Sequence, residues 1–170
     1  MKIYAISGLG ADERVFKYLK LKNELVPINW IEPIKNESIT DYSRRLSTKI
    51  NLPEKFCLLG VSFGGLIATE ISKILNPELT ILISSAEIKT ELPFIYRLFG
   101  KTKIINIIPT KLFNPPRFLA SYLFRTKEKE LLNKILDDTD LKFTKWAVRQ
   151  LINWKNNTRI NNLLKIKFHL

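Results

Sequence analysis

The chain has 170 residues, 45% of them hydrophobic, which is enough for a single domain with a buried core. Its net charge of +12 comes from Lys and Arg dispersed along the chain, without zinc-finger spacing, an RNP-like aromatic motif or a basic helix stripe, so we expect no nucleic-acid partner. No apolar stretch is long enough to cross a bilayer and no signal-peptide pattern is present, which predicts a soluble cytoplasmic protein without stable membrane insertion.

The first half of the chain begins with a strand and a glycine loop. Residues 2–7 predict a buried strand, Gly8-Leu9-Gly10 follows it, and a helical pattern then continues to about Lys22. A glycine-flanked loop after a strand exposes backbone N–H groups; the alternative is a simple strand-to-helix turn. Residues 24–31 predict a second strand, with Pro27 at its start or at a sheet edge, and residues 37–50 predict an amphipathic helix capped by Ser38 or Thr40.

The segment 56–75 is the most informative part of the sequence. Residues 56–59 predict a buried strand, Gly60-Val61-Ser62-Phe63-Gly64 has the spacing G-x-S-x-G, and residues 63–75 predict a helix that ends at Asn76-Pro77. A serine in such a tight strand-to-helix turn needs a positive φ, and a glycine two residues away on either side gives the required clearance. The alternative is an ordinary turn in which Ser62 only caps the helix.

The pattern of elements changes after the fourth predicted strand, at residues 79–85. Up to that point strands and helices alternate, which predicts a parallel sheet with right-handed crossovers and helices on both faces. Helices are then predicted at 93–98, 115–124, 126–136 and 141–154, and residues 163–170 return to strand character. We therefore divide the chain into a core (1–92), a helical cap insertion (93–160) and the start of a returning core strand (161–170).

In these features the chain resembles the α/β-hydrolase superfamily, in particular its small bacterial cytoplasmic members. The resemblance rests on Ser7-Gly8-Leu9-Gly10, on the G-x-S-x-G turn and on the cap-like helices, and it covers essentially the whole chain. It implies that Ser62 is the nucleophile, that the backbone amides of Leu9 and Phe63 form the oxyanion hole, and that the substrate is a small ester, thioester or related acyl compound. The family loop usually has His where this chain has Ser7.

The chain departs from the family in the rest of the catalytic triad, whose members follow in the order Ser, Asp or Glu, His. The sequence ends within the strand after which the acid is expected, and the only histidine, His169, lies in that strand. Glu87, after the fourth strand, is a candidate acid. Asp138 or Asp140 followed by His169 has the right order, although these aspartates fit better as caps of the helix that begins at Leu141.

Without an acid and a base, Ser62 is an ordinary alcohol, so we expect a truncated hydrolase that is weakly active or inactive as given. The alternative is a non-catalytic ligand-binding or interaction protein on the same fold, and a lyase or acyltransferase is a third reading, because a fold does not fix a reaction. With Cys57 as the only cysteine, a single histidine and no nucleotide motif, we expect neither a metal nor a cofactor.

Two further expectations concern apolar surfaces. The apolar residues between Ile104 and Phe124 either line an acyl pocket above Ser62 or pack the cap on the sheet. The terminal strand, residues 163–170, presents an apolar edge that favours self-association. Trp30, Trp146 and Trp154 are expected to pack in the core or cap rather than to contact a ligand.

Overall fold

The computed structural model describes residues 1–17, 19–51, 54–94, 96 and 129–167. Within these ranges one parallel sheet has the strand order β2-β1-β3-β4-β5. The strands are β1 (Lys2–Ile6), β2 (Leu25–Pro27), β3 (Phe56–Val61), β4 (Leu79–Ile83) and β5 (Leu163–Ile166). The helices are α1 (Ile39–Ser47), α2 (Phe63–Leu75), α3 (Lys129–Asp137) and α4 (Leu141–Asn153). The predicted parallel sheet is confirmed.

The carboxyl ends of the parallel strands lie at one edge of this sheet. The turn after β1, the Ser62 turn after β3 and the loop after β4 therefore come together there, as expected for a sheet of this kind. The corner between α3 and α4 lies against the turn after β1. This edge is where the candidate site lies.

The helix predicted up to Lys22 is wrong, because the described residues of this segment, all but residue 18, contain only a short 3₁₀ turn at Glu13–Phe16. Asp12 begins this turn by accepting a hydrogen bond from the amide of Arg14, and Phe16 is its only buried residue. Leu19 and Leu21, which a longer helix would have to bury, are each 42% exposed. An amphipathic helix is held mainly by its buried apolar face, and this segment has no such face.

Most other predicted elements are present but shorter. The second strand is limited to β2, and α1 begins after Ser38, whose hydroxyl accepts a hydrogen bond from the amide of Asp41 as a cap does. The fourth strand ends at Ile83 because Ser84 has φ 47°. The predicted helices at 126–136 and 141–154 correspond to α3 and α4, whereas half of 93–98 and all of 115–124 lie outside the described residues.

The larger part of the core lies between the sheet and helices α1, α2 and α4. Its fully buried side chains come from all these layers and include Tyr42, Leu46, Leu58, Leu66 and Ile71. A smaller cluster on the opposite face of the sheet contains Ile3, Phe16, Cys57 and Leu59. Helix α2, which starts at the G-x-S-x-G turn, thus packs on the sheet through this core.

β5 lies at one end of the described sheet and pairs only with β4 among the described strands. Leu164 and Ile166 on this strand are 46% and 38% exposed. Self-association through this edge stays a prediction. No described helix has the length and apolar character needed to cross a membrane.

Candidate active site

Ser62 lies between β3 and α2 in the conformation that the glycine spacing predicts, with φ 52° and ψ −119°. Its amide donates to the carbonyl of Ile83 on β4 (2.9 Å), and its own carbonyl accepts hydrogen bonds from the amide of Gly65 (3.0 Å) and the hydroxyl of Ser85 (2.7 Å). These three bonds hold the backbone of the turn. Ser62 is exposed, and its hydroxyl makes no hydrogen bond with any residue in the described ranges.

The glycines that flank Ser62 are required by close backbone contacts. A β-carbon built on Gly60 would lie 2.5 Å from the Cα of Gly65. One built on Gly64 would overlap the carbonyl oxygen of Ser7 and would lie 2.5 Å from that of Ile6. The start of α2 therefore packs directly on the end of β1, and this packing brings the Ser62 turn next to the loop after β1.

The loop after β1 is a β-turn from Gly8 to Ala11, closed by a hydrogen bond from the amide of Ala11 to the carbonyl of Gly8 (3.1 Å). Gly10, at its third position, has φ 73°, which favours glycine there. A β-carbon built on Gly8 would lie 3.6 Å from the Cβ of Ser62, so the turn is adjacent to the serine. Leu9 occupies the second position of this turn.

The amides of Leu9 and Phe63 are the sequence-predicted oxyanion donors. Neither donates a hydrogen bond to an acceptor in the part of the chain that the structure describes. The amide of Phe63 is free because it belongs to the first residue of α2, where the helix provides no acceptor. The positive end of the α2 dipole also lies at Ser62. Their role as oxyanion donors stays a prediction.

An aromatic cluster joins Phe63 and the turn that carries Leu9 to α4. The ring of Phe63 lies 5.9 Å from Trp30, 6.5 Å from Phe143 and 6.2 Å from Trp146, measured between ring centroids. The indole Nε1 of Trp30 donates to the carbonyl of Ala11 (3.0 Å), where the hydroxyl of Ser7 also donates (2.7 Å). Trp30 thus acts in packing, as expected, and it also holds the turn after β1, a contact that the sequence does not reveal.

Glu87, the candidate acid, is 2% exposed and lies in an ion cluster beside β5. Its carboxylate accepts hydrogen bonds from the amide of Ile160 (2.9 Å) and from Arg159 (3.2 Å), and it lies 2.8 Å from the Nζ of Lys165. Glu91 contacts the same ammonium group at 2.6 Å. The carboxylate of Glu87 is therefore already engaged by two cations and an amide, and its role as the triad acid stays a prediction.

The electrostatics of this cluster keep Lys165 charged. Burial alone would lower the pKa of Lys165, but its hydrogen bonds with Glu87 and Glu91 outweigh burial and raise the pKa. Burial alone would likewise raise the pKa of Glu91, and the hydrogen bond from Lys165 lowers it. Lys165 is thus protonated at neutral pH and does not supply a general base for Ser62.

The two aspartates proposed as alternative acids occupy other positions. Asp140 caps α4, since its carboxylate accepts a hydrogen bond from the amide of Lys142 (2.7 Å). Asp138 pairs with Arg14 at 2.8 Å on the surface. His169 lies outside the described residues, so the pairing of either aspartate with His169 stays a prediction.

Two clefts lined by described residues lie away from the Ser62 hydroxyl. A cleft of about 700 Å³ is lined by the loops after β1 and β2 and by the α3–α4 corner, including Asp12, Trp30 and Phe143, but not Ser62. A second cleft, of about 540 Å³, lies near the end of α4. The apolar residues predicted to line an acyl pocket, between Ile104 and Phe124, lie outside the described residues. Among the described residues no group of three or more His, Cys, Asp or Glu has a metal-binding arrangement.

Comparison with known proteins gives matches only among solved structures. No family model and no curated protein matches the chain. MenH from S. aureus has a TM-score of 0.66 and 14% identity, over 92% of this chain and 68% of its own. A hydrolase from Pseudomonas aeruginosa PA01 has a TM-score of 0.62 and 12% identity, over 98% and 71%. Human thioesterase 2 has a TM-score of 0.50 and 13% identity, over 91% and 66%. The chain thus spans about two-thirds of the length of these proteins, and at such identities the likeness establishes the fold alone.

Proposed function

We propose that this chain, which has the α/β-hydrolase fold, carries the nucleophile and oxyanion hole of a serine-dependent hydrolase acting on a small ester, thioester or related acyl compound. In the proposed reaction, Ser62 Oγ attacks the acyl carbon, the serine proton passes through solvent to the leaving oxygen or sulfur, and the alcohol or thiol departs. Water then cleaves the acyl-serine ester and releases the acid. The amides of Leu9 and Phe63 stabilise the oxyanion in both steps.

The observation that carries this proposal is the backbone of Ser62. A non-glycine residue with φ 52° costs on the order of 1–3 kcal/mol, and such strain is concentrated at functional sites. Ser62 has this strained backbone although it is exposed and its side chain forms no cap hydrogen bond with α2. An ordinary helix cap would accept a hydrogen bond from the second or third amide of the helix, so the capping alternative is disfavoured.

The surroundings of Ser62 support the same reaction. The turn that carries Leu9 is adjacent to Ser62, and Phe63 begins α2 directly after it, with both amides free among the described residues. This arrangement supports the proposal that the two amides and the N-terminus of α2 stabilise the negative charge that develops when a serine attacks a carbonyl. One of the similar structures is named a thioesterase and another a hydrolase, which agrees with acyl transfer to water as the reaction class.

A non-catalytic binding protein is the second candidate, and the state of Glu87 favours it. A triad acid must orient a histidine, whereas the Glu87 carboxylate contacts Lys165, Arg159 and a backbone amide. On this reading the surface around Ser62 would hold an acyl ligand without cleaving it. The two candidates differ in whether Ser62 becomes acylated.

Trapping of an acyl-enzyme tests the proposal. The chain is incubated with p-nitrophenyl acetate or p-nitrophenyl butyrate, quenched in acid and analysed by intact mass and peptide mapping. We expect one acyl group on the peptide that contains Ser62, and no adduct there in Ser62→Ala. Ser84→Ala is the matched control, because Ser84 is also exposed and has φ 47° but does not begin a helix. Binding of the ester without acylation of Ser62 would favour the non-catalytic candidate instead.

A further inference from the structure

The corner between α3 and α4 contacts the turn that carries Leu9. The hydroxyl of Thr139 donates to the carbonyl of Gly10 at 3.0 Å and shares its proton with the carbonyl of Ile135 at 3.1 Å. The guanidinium of Arg14 also donates to Asp138 at 2.8 Å. These contacts join residues that are more than 120 positions apart in the sequence.

Of the two contacts, that of Thr139 is the one directed at the turn itself. Asp138 has a side chain that is 66% exposed, and ion pairs so open to solvent contribute little to the position of a loop. Thr139 is partly buried, and its hydroxyl reaches the backbone of Gly10, the residue next to Leu9. Its Cγ2 would also lie 3.6 Å from a β-carbon built on Gly10, so its methyl group faces the same turn.

The turn from Gly8 to Ala11 is held at its other carbonyls by different elements. Ser7 and Trp30 both donate to the carbonyl of Ala11, and the carbonyl of Gly8 accepts the amide of Ala11. Gly10 has no β-carbon and adopts φ 73°, so its backbone dihedrals are less restricted than those of other residues. A hydrogen bond to the Gly10 carbonyl therefore restrains the peptide between Gly10 and Ala11, whose amide closes the turn.

We infer that Thr139 is a positioning residue for the oxyanion donor at Leu9, so that the α3–α4 corner sets the geometry of the oxyanion hole. The assignment of Leu9 as a donor rests on the proposed function. The hydroxyl of Thr139 holds the Gly10 carbonyl, the Gly8–Ala11 turn keeps its shape, and the amide of Leu9 stays beside Ser62. Movement of the corner away from the sheet releases this hold and weakens stabilisation of the oxyanion.

Thr139→Val tests this inference, because valine keeps the methyl contact with Gly10 and removes the hydrogen bond. We expect amide exchange of Ala11, whose N–H closes the turn, to become about fivefold faster, as measured by NMR. Labelling of Ser62 by a fluorophosphonate should become about tenfold slower, less than the loss caused by deleting a whole donor. Thr139→Ser restores the hydroxyl and should restore both values.

Thr144→Val is the matched control, because the hydroxyl of Thr144 donates to the carbonyl of Asp140 within α4 and does not contact the turn. It should change neither value. If the amide of Ala11 exchanges in Thr139→Val as slowly as in the wild type, the inference is overturned. It is also overturned if the amide of Ala11 exchanges faster but Ser62 is labelled at the wild-type rate. If the wild-type chain is not labelled at all, the proposed function is wrong, and the exchange data alone decide whether Thr139 holds the turn.

Discussion

Replacing Gly64 with alanine is expected to destabilise the chain by at least about 4 kcal/mol, a large fraction of the stability of a domain of this size. The added β-carbon would overlap the carbonyl oxygen of Ser7 and would lie 2.9 Å from the carbonyl carbon of Ile6. Both are backbone atoms at the end of β1, which is paired with β2 and β3, so they cannot move without disturbing the sheet. Urea denaturation followed by circular dichroism measures the change.

Gly8→Ala is the matched control for Gly64→Ala. A β-carbon on Gly8 would meet only the Cβ of Ser62 at 3.6 Å and the carbonyl oxygen of Val61 at 3.7 Å, which are ordinary contact distances. We expect this variant to lose no more than about 1 kcal/mol. Equal denaturation midpoints for the two variants would show that α2 does not pack on β1 as closely as the structure has it.

Glu87→Ala is expected to cost about 1–3 kcal/mol, because it removes a buried carboxylate that accepts hydrogen bonds from a partly buried cation and a backbone amide. The side chain of Lys165 is 24% exposed, and Glu91 would be left as its sole remaining carboxylate among the described residues. The amide of Ile160 would also lose its acceptor. Arg159 contributes less, since its side chain is 69% exposed and can turn to solvent. Chemical denaturation of the purified variant gives the free energy of unfolding.

The double variant Glu87→Gln with Lys165→Met separates the ion pair from the packing around it. Replacing both partners leaves no ammonium without Glu87, and Glu91, which loses Lys165, has a side chain that is 26% exposed to solvent. We therefore expect a smaller loss of stability than in Glu87→Ala alone. If the double variant loses as much stability as Glu87→Ala or more, the loss in Glu87→Ala does not come from breaking the Glu87–Lys165 ion pair. A Glu87→Ala variant as stable as the wild type would contradict the structural role of this cluster.

Local sequence patterns predicted the parallel sheet and the conformation of Ser62. The G-x-S-x-G spacing is typical of a tight strand-to-helix turn, because the backbone atoms packed against Gly60 and Gly64 leave no space for a β-carbon. Ser38 as the cap of α1 was predictable for the same reason, since a cap depends on residues three positions apart. These features are decided within a few residues of the chain.

The contacts that hold the candidate oxyanion turn were not predictable, because each joins distant parts of the chain. Trp30 reaches Ala11 from the loop after β2, and Thr139 reaches Gly10 from the α3–α4 corner. A tryptophan or a threonine in these segments has no local pattern that distinguishes it from a packing or surface residue. The prediction of a helix up to Lys22 was wrong for a related reason. The stability of such a helix depends on whether the rest of the fold buries its apolar face.

Covalent labelling with a fluorophosphonate probe tests most directly whether Ser62 is a nucleophile beside an oxyanion hole. Ser62 Oγ attacks phosphorus, fluoride leaves, and the serine proton passes to solvent, because no described side chain accepts it. We predict slow labelling of Ser62 alone, with a rate that rises from neutral to mildly alkaline pH, that is lost in Ser62→Ala and kept in Ser84→Ala. Labelling that persists in Ser62→Ala, or no labelling across this pH range, would contradict the assignment of Ser62 as the nucleophile.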